Sequence, residues 1–258
     1  MNAPMDPFVP IDNALLCKRP GPELDLLLET GVLEAVYPEV TAMVGFGGEG
    51  HGHKDLWWHT KTVVAQATPS RAVRWAALFH DVGKVPTFSR EHGKVTFHGH
   101  ELVSARLFDK AARRSGLDDD FRKHVRFLVR HLGRVEAYEP DWTDSAVRRL
   151  YRDCERHFGD LLRLASADIT TKHASKRRAH RLRMQELAER AEAIAEADAA
   201  LPALPKGLGS LVIERLALTP GPEVGQLMRK LEAAVEAGEL PPRAEPEIYL
   251  SWLVEHRG

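Results

Sequence analysis

Apolar residues recur at helical spacing along almost the whole chain. Leu24, Leu27, Leu28 and Val32 mark a short helix that ends near Gly31. Trp57, Val63, Val64 and Ala67 mark another, stopped by Pro69. Residues 70–79 place Val73, Ala76, Ala77 and His80 on one face, and Pro86 and Gly93 then punctuate a loop with little structure of its own. His100, Ser104, Leu107 and Ala111 stack on a helix that Gly116 closes as a C-cap. Asp118 to Asp120 start the next, with Phe121, Val125, Leu128 and Leu132 as its core stripe. Asp144 or Ser145 caps a further helix that turns Val147, Leu150, Tyr151 and Cys154 inward. Leu161, Leu164, Ala165 and Asp168 share a face of the one after, and a long amphipathic helix covers residues 175–199. Pro202 and Pro205 open a small C-terminal unit around Leu208 to Leu240. No alternating strand pattern competes. The pattern predicts an all-α fold with a proline-rich arm over residues 1–22, a helical bundle over 23–200 and a small helical unit over 201–258.

Composition narrows the classes of function. With 258 residues, 43% of them hydrophobic, the chain can bury a large core. A formal net charge of −1 removes any bulk electrostatic case for nucleic acid or membrane, so such a case has to be local. Cys17 and Cys154 stand alone, as reduced thiols of a cytosolic protein do. The N-terminus lacks a signal-peptide pattern, and no apolar run reaches membrane-spanning length. The expectation is a soluble, cytoplasmic protein without a membrane partner.

Chemistry concentrates at His80-Asp81, which ends an apolar helical run and offers one nitrogen and one oxygen ligand to a metal ion. His59, His100, His131 and Asp168 are candidate partners near helix ends or on apolar faces. Imidazole with carboxylate suits a first-row divalent cation, whereas an all-oxygen set suits magnesium or calcium. A lone histidine is usually a surface or core residue, and His92, His157, His173, His180 and His256 carry no further signal. His51 and His53 sit in a glycine-rich loop. His59 gains weight because it opens a helix beside Trp57-Trp58. Spacing leaves His124 against His131, and His98 against His100, undecided. Asp168 falls at a helix C-terminus, where the dipole disfavours a carboxylate, so its place on a buried face calls for a cation. Lys84, one turn beyond the dyad, is the candidate phosphate contact, and Arg148 with Arg152 a candidate clamp for a second phosphate.

Other motifs fail on context. Gly45 to Gly50 matches a dinucleotide pattern in letters, but no strand precedes it. Gly83-Lys84 and Gly93-Lys94 are each followed by valine, so neither completes a P-loop. Asp118 to Asp120 read as a helix cap. The run Lys172, Lys176, Arg177, Arg178, Arg181, Arg183 is either a solvated helix face or a phosphate-backbone contact.

His59, His80-Asp81 and Asp168 together resemble the H…HD…D pattern of the HD-domain superfamily of metal-dependent phosphohydrolases. More narrowly, the chain resembles the HD-bearing region of bacterial CCA-adding tRNA nucleotidyltransferases. The stretches that carry this are Gly31-Val32-Leu33, Asp55 to Thr60, His80 to Lys84, Phe97 to Glu101, Ala165 to Asp168 and Pro220 to Gly225. The resemblance favours His100 over His98 and His131 over His124. It implies one metal with four ligands or two with six, Asp81 bridging in the second case; imidazole-rich coordination in turn predicts Mn, Co, Ni or Fe in preference to Mg. It implies an HD helical bundle that hydrolyses phosphoesters through metal-activated water, with Asp81 and Lys84 at the reacting centre. The expected substrate is a nucleotide or an RNA 3′ end, such as a 2′,3′-cyclic phosphate or a 2′-monophosphate, with tRNA as a further partner. The nucleotidyltransferase head has no counterpart here, so a stand-alone phosphohydrolase is expected in place of CCA addition. Two other readings share these features: an HD-type di-iron oxygenase, and a non-catalytic RNA-binding module.

Overall fold

The structure, a computed structural model, describes residues 9–47, 55–200 and 202–256. His51, His53 and the end of the Gly45 to Gly50 run lie outside the described residues. The fold is all-α, as the spacing predicts, and it divides after Glu192 into two compact units.

Helices α1 (Val9–Leu16) and α2 (Pro20–Glu29) occupy the stretch whose prolines suggest an arm. Pro20 stands in the first turn of α2, where its missing N–H costs nothing. Ile11, Ala14, Leu15 and Leu24 are buried, and among the described residues Pro10 and Pro20 stand in the first turns of helices. Gly31, at φ 73°, separates α2 from the short α3 (Val32–Val36), and α4 (Pro38–Thr41) follows.

Asp55 caps α5 (Leu56–Gln66) by accepting the Trp58 N–H at 2.7 Å. The next helix, α6 (Arg71–Phe79), is buried from Ala72 to Phe79. Arg74 is tolerated there because its guanidinium donates to the carbonyls of Ala67, Leu15 and Cys17. Tyr37 meets the rings of Trp75 and Phe79 edge-on. A 3-10 turn, Val82–Lys84, then leads out of the core.

The expected loop around Gly93 contains an antiparallel hairpin, β1 (Ser89–Glu91) with β2 (Lys94–Thr96). Its two-residue turn needs positive φ at both positions, and His92 (50°) and Gly93 (77°) supply it. Strands of three residues are too short for alternation to register.

Helix α7 (His100–Arg114) ends at Gly116, φ 75°, as expected. Helix α8 (Asp119–Glu136) is capped by Asp118, which accepts from the Asp120 and Phe121 N–H groups, so the acidic triplet is a cap. Thr143, not Asp144 or Ser145, caps α9 (Asp144–Cys154), its hydroxyl accepting the Ala146 N–H at 3.3 Å. Asp144 is instead the first helical residue and pairs with Arg190. Helices α10 (Phe158–Ala167) and α11 (Ala174–Ala200) follow. Because α6 packs on α1, α5, α8 and α10, its C-terminal end opens at the middle of the first unit.

The second unit holds α12 (Leu208–Leu216), α13 (Pro222–Glu236) and α14 (Pro246–Glu255) around Leu208, Val212, Leu231, Tyr249 and Leu253. Among the described residues no helix is long and apolar enough to cross a membrane.

Candidate metal centre

Three helix ends bring the histidines and aspartates together. His59 lies in the first turn of α5, His80-Asp81 ends α6, and Asp168 ends α10. His59 Nε2 is 3.2 Å from His80 Nε2, 3.1 Å from Asp168 Oδ1 and 3.4 Å from Asp81 Oδ2. His80 Nε2 is 3.4 Å from Asp81 Oδ2 and 3.5 Å from Asp168 Oδ2. Ligand atoms of His59, His80 and Asp168 all fall within 4.8 Å of one another.

The rings are aimed by their far nitrogens. His80 Nδ1 donates to the Ala77 carbonyl at 2.8 Å, which leaves the neutral ring a lone pair at Nε2. His59 Nδ1 bonds the Thr170 hydroxyl at 2.9 Å. Metal-ligating imidazoles are oriented through their second nitrogen in this way. His59, His80 and Asp168 therefore fit a divalent cation held by two imidazoles and a carboxylate, with Asp81 Oδ2 3.4 Å from both imidazoles.

The electrostatics point the same way. Burial lowers the pKa of His59, but its bonds to Asp168 and Asp81 outweigh that and raise it to about 9. Burial likewise lowers His80, and the Asp81 and Asp168 charges raise it overall. Burial would raise Asp168, yet the His80 and His59 charges pull it down to about 2. Asp81, 1% exposed, is held well below the usual carboxylate range against its burial, first by His80. The cluster is built to hold positive charge between its carboxylates.

A cavity of about 140 Å³ opens beside the cluster, lined in part by His80, Asp81, Lys84, His100, Glu136 and Asp168. That is well below the ~300 Å³ at which small-molecule pockets begin, so it has room for an ion and a phosphoryl group but not for a whole nucleotide. Lys84 Nζ is 2.7 Å from Asp81 Oδ2; burial lowers its pKa, but Asp81 raises it further, keeping the ammonium charged. His100 Nδ1 donates to the Phe97 carbonyl at 3.0 Å, and its Nε2 stands 3.7 Å from Asp81 Oδ1. His98 is not on the cavity wall.

His131 is not brought to the cluster. Helix α8 lines the cavity with Val129, Leu132, Gly133 and Glu136, spaced i, i+3, i+4, i+7. His131 is two residues past Val129, roughly 200° around the helix, and packs against Phe127 in a separate surface recess. His124 shares that outward side and pairs with Asp160 at 3.1 Å. Arg148 and Arg152 lie on α9, half-buried and exposed respectively, and neither lines the cavity.

Glu136 is the residue that sequence reasoning missed. Burial, and then the Asp168 charge, push its carboxyl well above the usual range. The signal was present: four residues past Leu132, it continues the apolar stripe of α8 with a carboxylate.

The family model described as HD domain matches residues 59–202. An A-adding tRNA nucleotidyltransferase of Deinococcus radiodurans is 32% identical over 238 residues, covering 88% of this chain and 54% of that protein. A CC-adding tRNA nucleotidyltransferase of Thermus thermophilus is 31% identical over 245 residues, covering 92% of this chain and 54% of that protein. A multifunctional CCA protein of Paraburkholderia phytofirmans is 30% identical over 193 residues. The chain spans about half the length of the curated relatives it matches.

Proposed function

Since the chain belongs to the HD-domain family, we propose that it is a metal-dependent phosphohydrolase acting on phosphoesters of nucleotides or RNA ends. The observation that carries this reading is the convergence of His59, His80 and Asp168, with Asp81 3.4 Å from both imidazoles, beside a cavity of about 140 Å³. A divalent cation held there would draw charge from a phosphoryl oxygen and lower the pKa of water.

The chain's own residues do the rest. Lys84, kept charged by Asp81, places an ammonium beside the phosphoryl oxygens. His100, fixed through Nδ1, offers its Nε2 lone pair to a second cation or to the proton of an attacking water. The ends of α5, α6 and α10 hold these groups rigidly, so little reorganisation precedes attack. A substrate presenting a terminal 2′- or 2′,3′-cyclic phosphate would need to bring only that phosphate into the cavity. That the relatives are tRNA nucleotidyltransferases by name supports an RNA substrate. The six-residue set that would also suit an iron pair activating O₂ is not assembled, because His131 lies apart.

The test is a phosphatase and phosphodiesterase panel on the chelator-stripped protein, reloaded with Mn²⁺, Co²⁺, Ni²⁺ or Mg²⁺ while bound metal is measured. Turnover of a 2′,3′-cyclic or 2′-monophosphate by the loaded protein, lost in Asp81→Ala, is expected. Full turnover by metal-free Asp81→Ala protein would overturn the reading.

A further inference from the structure

The recess that holds His131 belongs to a basic surface outside the metal centre. Lys123, Arg126 and Arg130 project from exposed positions of α8, and Phe127 and His131 line a recess of about 160 Å³ between them. The His157 ring lies tilted against Phe127, at 4.5 Å between centroids. His131 Nδ1 is buried there without a hydrogen-bond partner. One turn further on, Arg134 ties α8 to α9 through Asp153 at 2.5 Å. Around this ion pair stand Arg149 and Arg152, whose charges, after that of Arg134, help hold the Asp153 carboxyl down. A second recess, of about 470 Å³, is walled by Arg134, Trp142 and Arg149.

Among the described residues Arg126, Arg130, Arg149 and Arg152 have no carboxylate within ion-pair distance. Arg126 and Arg130 stand four apart on one helix, where like charges repel. The nearby carboxylates are spoken for: Asp119 and Asp120 approach Lys123, Asp153 holds Arg134, and Asp160 holds Arg163 and His124. A polyanion is the ligand that relieves such a surface, and rings in its recesses call for unstacked bases.

We infer that the outward faces of α8 and α9 form a docking surface for single-stranded RNA, with phosphates along Arg126, Arg130, Arg149 and Arg152 and bases against Phe127 and Trp142. Phe127 and Arg134 are seven residues apart, about 10 Å along α8, so a short segment spans both recesses. The basic run on α11 is the competing surface, and it is less suited. Arg177 is bonded to the Thr171 carbonyl and Arg183 to Glu139, and the recess beside Arg181 has no aromatic ring on its wall. The inference rests on charge and rings alone and stands whether or not the metal centre hydrolyses phosphoesters.

The experiment is fluorescence anisotropy of a labelled, unpaired RNA octamer with the full chain across a salt series. Four phosphate contacts predict a slope of log K against log salt of about −3, and Arg126→Ala/Arg130→Ala should flatten it to about half. Phe127→Leu keeps the charge and should weaken binding roughly tenfold. Arg178→Ala/Arg181→Ala should leave both measures near wild type. Unchanged binding in the Arg126/Arg130 variant, equal loss in the Arg178/Arg181 variant, or equal binding of duplex RNA or polyglutamate would each overturn the inference. Hydrolysis of a small cyclic nucleotide, measured on the same variants, reports separately on the metal centre.

Discussion

His59 and His80 face each other through Nε2 atoms 3.2 Å apart, with the far nitrogen of His80 committed to donating to Ala77. His80 Nε2 thus turns a lone pair toward His59, so the contact calls for a proton on His59 Nε2 or a cation between the rings. Removing either member of the dyad leaves the others mutually uncompensated. His80→Ala and Asp81→Ala should therefore abolish metal binding, read by isothermal calorimetry, and at least 10²-fold of turnover, while circular dichroism still shows a helical protein. Retained stoichiometric metal in both variants would refute this assignment of ligands. Imidazole-rich coordination also predicts activation by Mn²⁺, Co²⁺ or Ni²⁺ above Mg²⁺ in titrations of stripped protein. A magnesium preference would mean that carboxylates, not these imidazoles, dominate the site.

At the scale of elements, the cavity depends on how closely α7 approaches the turn after α6. Gly83 donates its N–H to the Ser104 hydroxyl at 2.8 Å, and a Cβ at Gly83 would collide with backbone atoms of His100 and Ser104. Backbone cannot give way as a flexible side chain can. Gly83→Ala should cost about 1–3 kcal/mol in urea unfolding and should also lower turnover by displacing His100. A variant with wild-type urea midpoint and activity would show that the approach is not needed. Helices α4 and α7 are joined by Glu39 and Arg114, paired through both carboxylate oxygens at 2.8 Å. Burial would raise Glu39, but Arg114 lowers it below its ordinary 4.5. Its contribution is thus complete above pH 4.5 and is lost as pH falls through the lower folded value. With Arg114 40% exposed on its side chain, the pair contributes no more than about 1 kcal/mol. The stability gap between wild type and Arg114→Ala, from urea midpoints, should be open at pH 7 and close toward pH 3. A gap independent of pH would mean that Arg114 acts through its contact with the Val36 carbonyl alone.

For the whole molecule, metal binding and folding are linked, because the ligands come from α5, α6 and α10, which meet only in the folded state. A cation at 100 times its dissociation constant should add about 2.7 kcal/mol to stability. Thermal scans of stripped protein should show a rise of several degrees on adding Mn²⁺, absent in His80→Ala. An equal rise in that variant would place the stabilising ion elsewhere.

The sequence by itself determined the all-α class and most helix positions, and it singled out His59, His80 and Asp168, which the fold brings together. Helical periodicity is a local property of the chain, and carboxylates or imidazoles at the buried ends of helices are anomalous wherever they occur. It could not choose between His124 and His131, since seven residues is nearly two turns and the two share a side; both point outward from α8. Only packing decided which stripe of α8 faces the cluster, and the answer runs through Val129, Leu132 and Gly133 to Glu136. The hairpin at Ser89–Thr96 and the helix within the proline-rich start were likewise illegible, one too short for a period and the other masked by residues that can begin a helix as well as break one. The basic surface on α8 and α9 needed the fold most of all. Its arginines come from separate helices, and a net charge of −1 conceals them until tertiary structure brings Arg134 of α8 beside Arg149 and Arg152 of α9 around Asp153.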